Sequence, residues 1–374
     1  GGVYQYSTDG GWQHKHFEKI MQMQGENLKI FSLGYAYFKD PRFLKAAQSI
    51  EKYLRTFLMS PDGAFYTSQD ADVKQGQHSQ WYFELSDAER RKHGIPRIDK
   101  HIYARENGWA INGLTWLYRA TADKRYLDEA VRAADFIIKN RCLPGGGFRH
   151  DANDTSGPYL GDNLYMGRAF LSLYEATGER HWLTRSQETA NFIASHFQSK
   201  DHSGFVSSEA SKVGIQKPQP LLEENIALCR YLNLLYHYTG NKEDKAMAES
   251  CMRYLATPEI ARIRKILVAG TLLCDRELNT DPAHITIVGP KSDLIAKALF
   301  QEANRYPLSY KRVEWFDRKD GVLPNSSVEY PEMPKAAAFS CANQSCSRPV
   351  YTAAEVTPLI DKMTKPNKGG VASE

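Results

Sequence analysis

The sequence predicts a mainly α fold, an α/α toroid, followed by a small α/β extension. Three observations carry this. One turn plan recurs four times before about residue 245. Gly-aromatic loops follow three of those turns. After about residue 280 the apolar pattern changes from helical to strand-like.

The four turns can be read in order. Gly34-Tyr35-Ala36-Tyr37-Phe38-Lys39-Asp40-Pro41-Arg42-Phe43 leads through a helical run to Asp62-Gly63-Ala64-Phe65-Tyr66. Leu117-Tyr118-Arg119-Ala120-Thr121-Ala122-Asp123-Lys124 leads to Gly145-Gly146-Gly147-Phe148. Leu173-Tyr174-Glu175-Ala176-Thr177-Gly178-Glu179-Arg180 leads to Ser203-Gly204-Phe205. Leu235-Tyr236-His237-Tyr238-Thr239-Gly240-Asn241-Lys242 opens a fourth unit with no glycine loop. In each, a helix ends at a small or polar residue able to take the left-handed conformation, and a second helix starts two or three residues later. Phe43, Leu44, Ala47, Ile50 and Leu54 recur at three and four, as do Tyr126, Ala130, Ala133, Ala134, Ile137 and Ile138. Phe65, Phe148 and Phe205 are 83 and 57 residues apart, so the longer gap holds an insertion near residues 73 to 100.

Helical pairs of about 55 residues suit a toroid better than a solenoid of shorter, near-constant period. The first helix of each pair is rich in aromatics, among them Trp109, Trp116, Tyr118, Tyr165 and Tyr174, as expected of helices lining a pocket. Gly1-Gly2-Val3-Tyr4 reads as one more Gly-aromatic loop, so the hairpin before it is expected to lie outside this sequence. The barrel is thus assigned residues 1–280. His284 to Gly289 reads as a buried strand, Asp293 to Ala303 as a helix, and Ser309 to Trp315 and Ala336 to Cys341 as strands, which assigns 281–362 to the α/β extension. Residues 363–374 read as a disordered tail.

Composition excludes several classes. The 374 residues are 42% hydrophobic and 25% charged, a globular balance. Forty-eight basic against 44 acidic residues give +4, too weak for a nucleic-acid binder, and Arg90-Arg91-Lys92 beside Asp87 and Glu89 reads as a solvated helix end. The longest apolar runs, such as Ile266 to Ala269, fall far short of a bilayer span, so no membrane segment is expected. The cytoplasm is favoured, though the sequence fixes no compartment. Val288 to Ser292 lacks a phosphate-loop pattern, and no cofactor motif is present. Cys142, Cys229, Cys251 and Cys274 sit singly in helical patterns. Cys341 and Cys346 leave a thiol pair, a disulfide or half a metal site open; no His follows His284, and no metal is assigned.

Gly1-Gly2-Val3-Tyr4-Gln5-Tyr6-Ser7, Trp12 and His16-Phe17-Glu18-Lys19 begin an ordered series of motifs. Gln69-Asp70-Ala71-Asp72, Asp99-Lys100, Asn107-Gly108, Gly161-Asp162-Asn163, the strand ending Ile287-Val288-Gly289 and the paired-Cys segment follow. Over nearly the whole chain this resembles the thioredoxin-domain-containing proteins related to spermatogenesis-associated protein 20 and bacterial YyaL. The resemblance implies a six-hairpin glycosidase-like barrel, similar to that of N-acylglucosamine 2-epimerases. It also implies a thioredoxin-like domain ahead of the barrel in the full-length protein, as its intrachain partner. This sequence departs from the pattern at Met23, where an acid is expected, at Val73 to His78, which replaces an acidic glycine-rich run, and at Glu106, where a Trp is usual.

The candidate site residues gather at predicted starts of first helices. His16 and Glu18 are placed at one such start, where a His can act as general base near neutral pH. Glu106 and Asn107, Asp162 and Asn163, and Glu223, Glu224 and Asn225 take the corresponding places in later repeats. Asp70 and Asp72, if extended, share a face and could divide acid and base roles, or could hold a loop by turn hydrogen bonds. Trp12, Tyr66, Trp109 and Tyr165 add rings on which the CH face of a sugar would stack. Helix-capping preference alone accounts for the acids and amides but not for the rings. The leading function is a carbohydrate-active barrel. An epimerase or isomerase would use His16 with a second group among His150, His101 and the carboxylates. A glycosidase would use two opposed carboxylates. The alternative is a non-catalytic barrel that binds a ligand or protein and partners the thioredoxin-like domain. Redox chemistry at Cys341 and Cys346 ranks third, because C-x4-C is not the usual redox spacing.

Overall fold

The computed structural model describes residues 1–209, 218–265, 267–326, 328–342 and 345–364. It begins with short strands β1 (Tyr6–Ser7) and β2 (Lys15–His16), paired antiparallel, and β3 (Lys19–Ile20). The first helical pair is α1 (Met21–Phe38) and α2 (Pro41–Tyr53). Strand β4 (Ser68–Gln69) follows, then the insertion with α3 (Gln80–Glu84), α4 (Asp87–Lys92) and β5 (Ile98–Asp99). Further pairs are α5 (Ala104–Thr121) with α6 (Lys124–Arg141), α7 (Leu160–Thr177) with α8 (Arg180–Phe197), and α9 (Leu222–Thr239) with α10 (Lys242–Leu255).

The turn inside each pair has one construction. Lys39, Ala122, Gly178 and Gly240 take φ of 57°, 64°, 69° and 72°. Each donates its N–H to the carbonyl four residues back, on Tyr35, Tyr118, Tyr174 and Tyr236. That left-handed residue satisfies an end carbonyl of the first helix and reverses the chain. In three turns the side chain of the next residue, Asp40, Asp123 or Asn241, then accepts an N–H of the second helix at 2.8 to 3.0 Å.

The chain divides into two compact units. One holds Gly1–Leu173, Thr184–His196 and Ser208–Lys217; the other holds Tyr174–Leu183, Phe197–Ser207 and Pro218–Glu374. The border between these units runs within α7 and α8. In the first unit two glycines bring helix backbones into contact. A Cβ on Gly25 of α1 would lie 2.6 Å from the Trp109 carbonyl oxygen of α5, and one on Gly108 of α5 would lie 2.7 Å from that of Tyr165 on α7. Behind α5, helix α6 buries Tyr126, Ala130, Ala133, Ala134 and Ile137, the residues its periodicity marks.

That packing also encloses two acids. Glu129 is 2% exposed, and its Oε2 has no partner. Glu51, 3% exposed, is bonded by Arg55 at 2.9 Å. Burial, with Glu51 adding repulsion, pushes the Glu129 carboxyl up to about 7. A raised carboxyl binds more protons folded than unfolded, so stability falls as pH climbs from about 4.5 to 7. Glu129→Gln is therefore expected to flatten that decline and to raise the thermal midpoint at pH 8 but not at pH 4. Thermal melts across this range would test it.

In the second unit, α11 (Pro258–Arg264) and α12 (Ala269–Leu278) precede β6 (Ala283–Val288), α13 (Leu294–Arg305), β7 (Lys311–Phe316), β8 (Ala337–Ala342), β9 (Ser345–Cys346) and α14 (Ala353–Thr364). The sheet order is β7-β6-β8-β9, with β6 and β7 parallel and the other pairs antiparallel. Ile285, Ile287, Leu299, Val313, Trp315, Val356 and Ile360 share its main core. Lys311, fully buried, gives its ammonium to the Ala303, Asn304 and Tyr306 carbonyls at the end of α13, where a positive charge is favoured. The elements of this sheet and the helices packed with it run from Ala283 to Thr364. Helix α14 continues to Thr364, so residues 363 and 364 are helical rather than tail; 365–374 lie outside the described residues. Cys341 and Cys346 form a disulfide, which settles the options left open for them. Among the described residues no helix is long and apolar enough to cross a membrane.

Candidate functional site

The amides at the helix starts have a structural task. The Asn107 Oδ1 accepts the Phe65 N–H at 2.8 Å, and its Nδ2 donates to the Phe65 and Tyr103 carbonyls at 3.0 and 2.9 Å. Asn163 holds Phe148 and the Tyr159 carbonyl in the same way, and Asn225 holds Phe205 and the Leu221 carbonyl. All three asparagines are fully buried. They pin the Gly-aromatic loops, and with both ends of the amide used they do not present groups to a substrate. A fourth clamp escapes the sequence reading. Gln24 accepts the Val3 N–H at 2.7 Å and donates to the Val3 and Ile20 carbonyls at 2.7 and 3.2 Å. Each clamp is the fourth residue of its helix, which is the register that would have exposed it.

That register places Met23, Glu106, Asp162 and Glu224 just before the clamps. In the first unit two of these acids meet. The Asp162 carboxylate accepts the Arg105 N–H at 2.9 Å, capping the start of α5 from α7, where a free N–H is available. It also bonds the His150 Nδ1 at 2.9 and 3.1 Å. His150 lies two residues past the clamped Phe148 and stacks on Tyr103 at 3.9 Å, with Tyr159 edge-on at 5.8 Å. Its side chain is 25% exposed, and among the described residues its Nε2 has no recorded partner. Burial works against the imidazolium, but the Asp162 hydrogen bond and charge, with Glu106 beyond, raise the His150 pKa above its usual 6.5.

Glu106 stands beside this pair. Its Oε1 takes Arg105 at 2.9 Å, while its Oε2 is buried without a partner. Burial raises its carboxyl, Arg105 draws it back, and Asp162 and His150 act on it in opposite senses. One turn on, the Trp109 indole N–H is likewise buried without a partner, and its ring meets Tyr165 at 4.6 Å. Arg105 lies 5.1 Å over Trp109. Below the cluster His101 bonds Asp151 at 2.7 Å, and Arg141 reaches the same carboxylate at 3.5 Å. Burial opposes the Asp151 charge, yet His101, the Ala152 N–H and Arg141 hold its carboxyl below the usual range. The arrangement offers an oriented imidazole, an unsatisfied carboxyl and aromatic walls, the parts that proton transfer on a small polar substrate requires.

The other candidates lie elsewhere. His16 and Glu18 do not open a helix. His16 is in β2 paired with Tyr6, and β3 pairs with β4, so α1 starts only at Met21. His16 bonds Glu18 at 3.3 Å and stacks on Tyr6 at 4.8 Å, and neither residue is bonded to the His150 cluster among the described residues. Asp70 accepts the Asp72 N–H at 3.2 Å and donates its own N–H to the Arg97 carbonyl at 2.8 Å. It therefore anchors a turn, and the two carboxylates are not a strand pair. Trp12 is 48% exposed in the β1–β2 turn with φ of 62°. Tyr66 is half-buried, its N–H on the Leu58 carbonyl at 2.7 Å. Glu223 and Glu224 lie in the first turn of α9, in the second unit. Sequence reasoning missed Arg105 and left His150 only as one option for a second proton-transfer group.

No protein-family model matches the chain. Human spermatogenesis-associated protein 20 is 22% identical over 488 aligned positions that include 96% of this chain, and the chain spans about 60% of that relative's length. Homologues of that name thus cover almost all of the sequence, in agreement with the resemblance. Among solved structures, a sugar epimerase from a ruminal bacterium matches with a TM-score of 0.54 and 17% identity, over 69% of this chain and 66% of its own. A D-mannose isomerase matches with a TM-score of 0.53 and 15% identity, over 68% and 64%. These likenesses show the fold, an α/α toroid.

Proposed function

We propose that this barrel catalyses proton transfer on a sugar, as an epimerase or isomerase. The observation that carries the reading is His150, oriented by Asp162 through Nδ1 and with Nε2 left for a substrate. In an open-chain aldose the Nε2 would take the proton from C2. Glu106, its carboxyl raised by burial, would give a proton to the carbonyl oxygen, forming an enediol. Return of the imidazolium proton to C1, with Glu106 recovering the proton of the C2 hydroxyl, would give the ketose. Asp162 would stabilise the transient imidazolium. A glycosidase reading has less support, because Asp70 anchors a turn and the helix-start amides are engaged.

A second reading is a non-catalytic binding barrel. Met23 favours it, since one repeat lacks the acid that the others carry before the clamp. Both readings keep the thioredoxin-like domain implied by the resemblance as a partner within a longer protein, and a sugar as the ligand. Proton NMR in deuterated buffer with a panel of aldoses and ketoses separates them. Solvent deuterium entering C1 or C2, lost in His150→Ala with the fold intact, is the expected result. Saturable line broadening without exchange would replace the enzyme with the binder.

A further inference from the structure

The second unit contains a cleft that the proton-transfer reading does not use. Its volume is about 630 Å³, in the range of small-molecule sites, and its lining is mainly polar. Lys245 of α10, His237 of α9 and Arg312 of β7 line it, and the Cys341–Cys346 disulfide closes one side. Asn233, Asn279 and Thr280 add polar groups.

Neither cation here is fully bonded. The Arg312 Nη2 is taken by the Asn325 carbonyl and by Glu314 at 2.8 Å. Its Nε is buried with no partner, and its Nη1 has none recorded among the described residues. Arg312 itself is only 5% exposed. Lys245 is half-buried and has no ion pair among the described residues; its ammonium lies 5.2 Å from the Tyr236 ring centre. The acid lining the same cleft is Asp281, which is exposed. Glu314 is already shared by Arg312 and by His284, at 2.6 Å. Desolvation lowers the His237 pKa to about 4, so its ring is neutral at pH 7 and adds no charge. A half-buried ammonium and an incompletely bonded guanidinium facing one cavity are the donors an oxyanion needs. The volume leaves room for an organic body against the amides and Thr280.

We propose that this cleft binds a small phosphorylated molecule, its phosphate held by Lys245 and Arg312. Isothermal titration of the whole chain with sodium phosphate, and then with glucose 6-phosphate, at constant ionic strength tests this. Saturable binding of both is expected, with glucose 6-phosphate the tighter by at least tenfold. Lys245→Ala should weaken both at least tenfold. Lys242→Ala, an exposed lysine on the same helix, should change neither. Arg312→Lys should give a similar loss if it folds; Lys245→Ala decides the matter if it does not. Heat that tracks ionic strength without saturating, or unchanged affinity in Lys245→Ala, would overturn the site. Equal affinity for the two probes would overturn the organic body.

Discussion

Asn107→Ala is expected to cost about 3 to 5 kcal/mol of folding stability, the largest loss foreseen for a single side chain here. The carboxamide meets the N–H and the carbonyl of Phe65 at 2.8 and 3.0 Å, and Phe65 is fully buried. Removing it leaves a donor and an acceptor dry and unpaired, each at about 1 to 3 kcal/mol. Asn107→Asp should fare little better. It keeps an acceptor for the Phe65 N–H but turns a carboxylate toward the Phe65 and Tyr103 carbonyls, which the native Nδ2 serves as donor. Urea unfolding would read the loss as a lower midpoint at unchanged slope. Lys139→Ala, an exposed position on α6, should stay within about 0.5 kcal/mol. A loss under 1 kcal/mol in Asn107→Ala would mean that water replaces the amide and that the loop does not depend on the clamp.

The clamps show why part of the site was legible and part was not. The helical pairs could be read because their cause is local: a left-handed residue and a cap recur at fixed spacing. The register of acids before the clamps was legible for the same reason. The task of the amides was not, because an Asn near a helix start looks alike whether it faces a ligand or a loop. The difference is where Phe65 and Phe148 bring their backbone, 42 and 15 residues away. The start of α1 was misplaced for a related reason. Lys19 and Ile20 are a two-residue strand, too short to show alternation, and their partners Gln69 and Ser68 are remote in sequence. His150 carries no motif. It stands out only when Val3, Phe65, Phe148 and Phe205 are superposed, which aligns it with Gln5, Thr67 and Ser207.

Asp162→Asn is the sharper test of the proposed chemistry, because it alters charge while leaving an acceptor for the Arg105 N–H. In the native protein the Asp162 carboxylate raises the His150 pKa against the opposing effect of burial. An amide there removes that support, so the imidazolium titrates at lower pH. As a base His150 must be neutral, so the acidic limb of the kcat/KM profile should move to lower pH. The rate on the plateau should nevertheless fall by about 100- to 10,000-fold, since the transient imidazolium loses its counter-charge and the ring can adopt the wrong tautomer. Stability gives an independent reading. A raised His pKa contributes stability that is fully present below the unfolded value near 6.5 and is lost as pH rises through the folded value. The stability gap between native and Asp162→Asn proteins should therefore be widest near pH 5 and narrow toward pH 8. A gap that persists unchanged, with an unmoved rate profile, would make Asp162 a cap for α5 and leave His150 without a positioning partner.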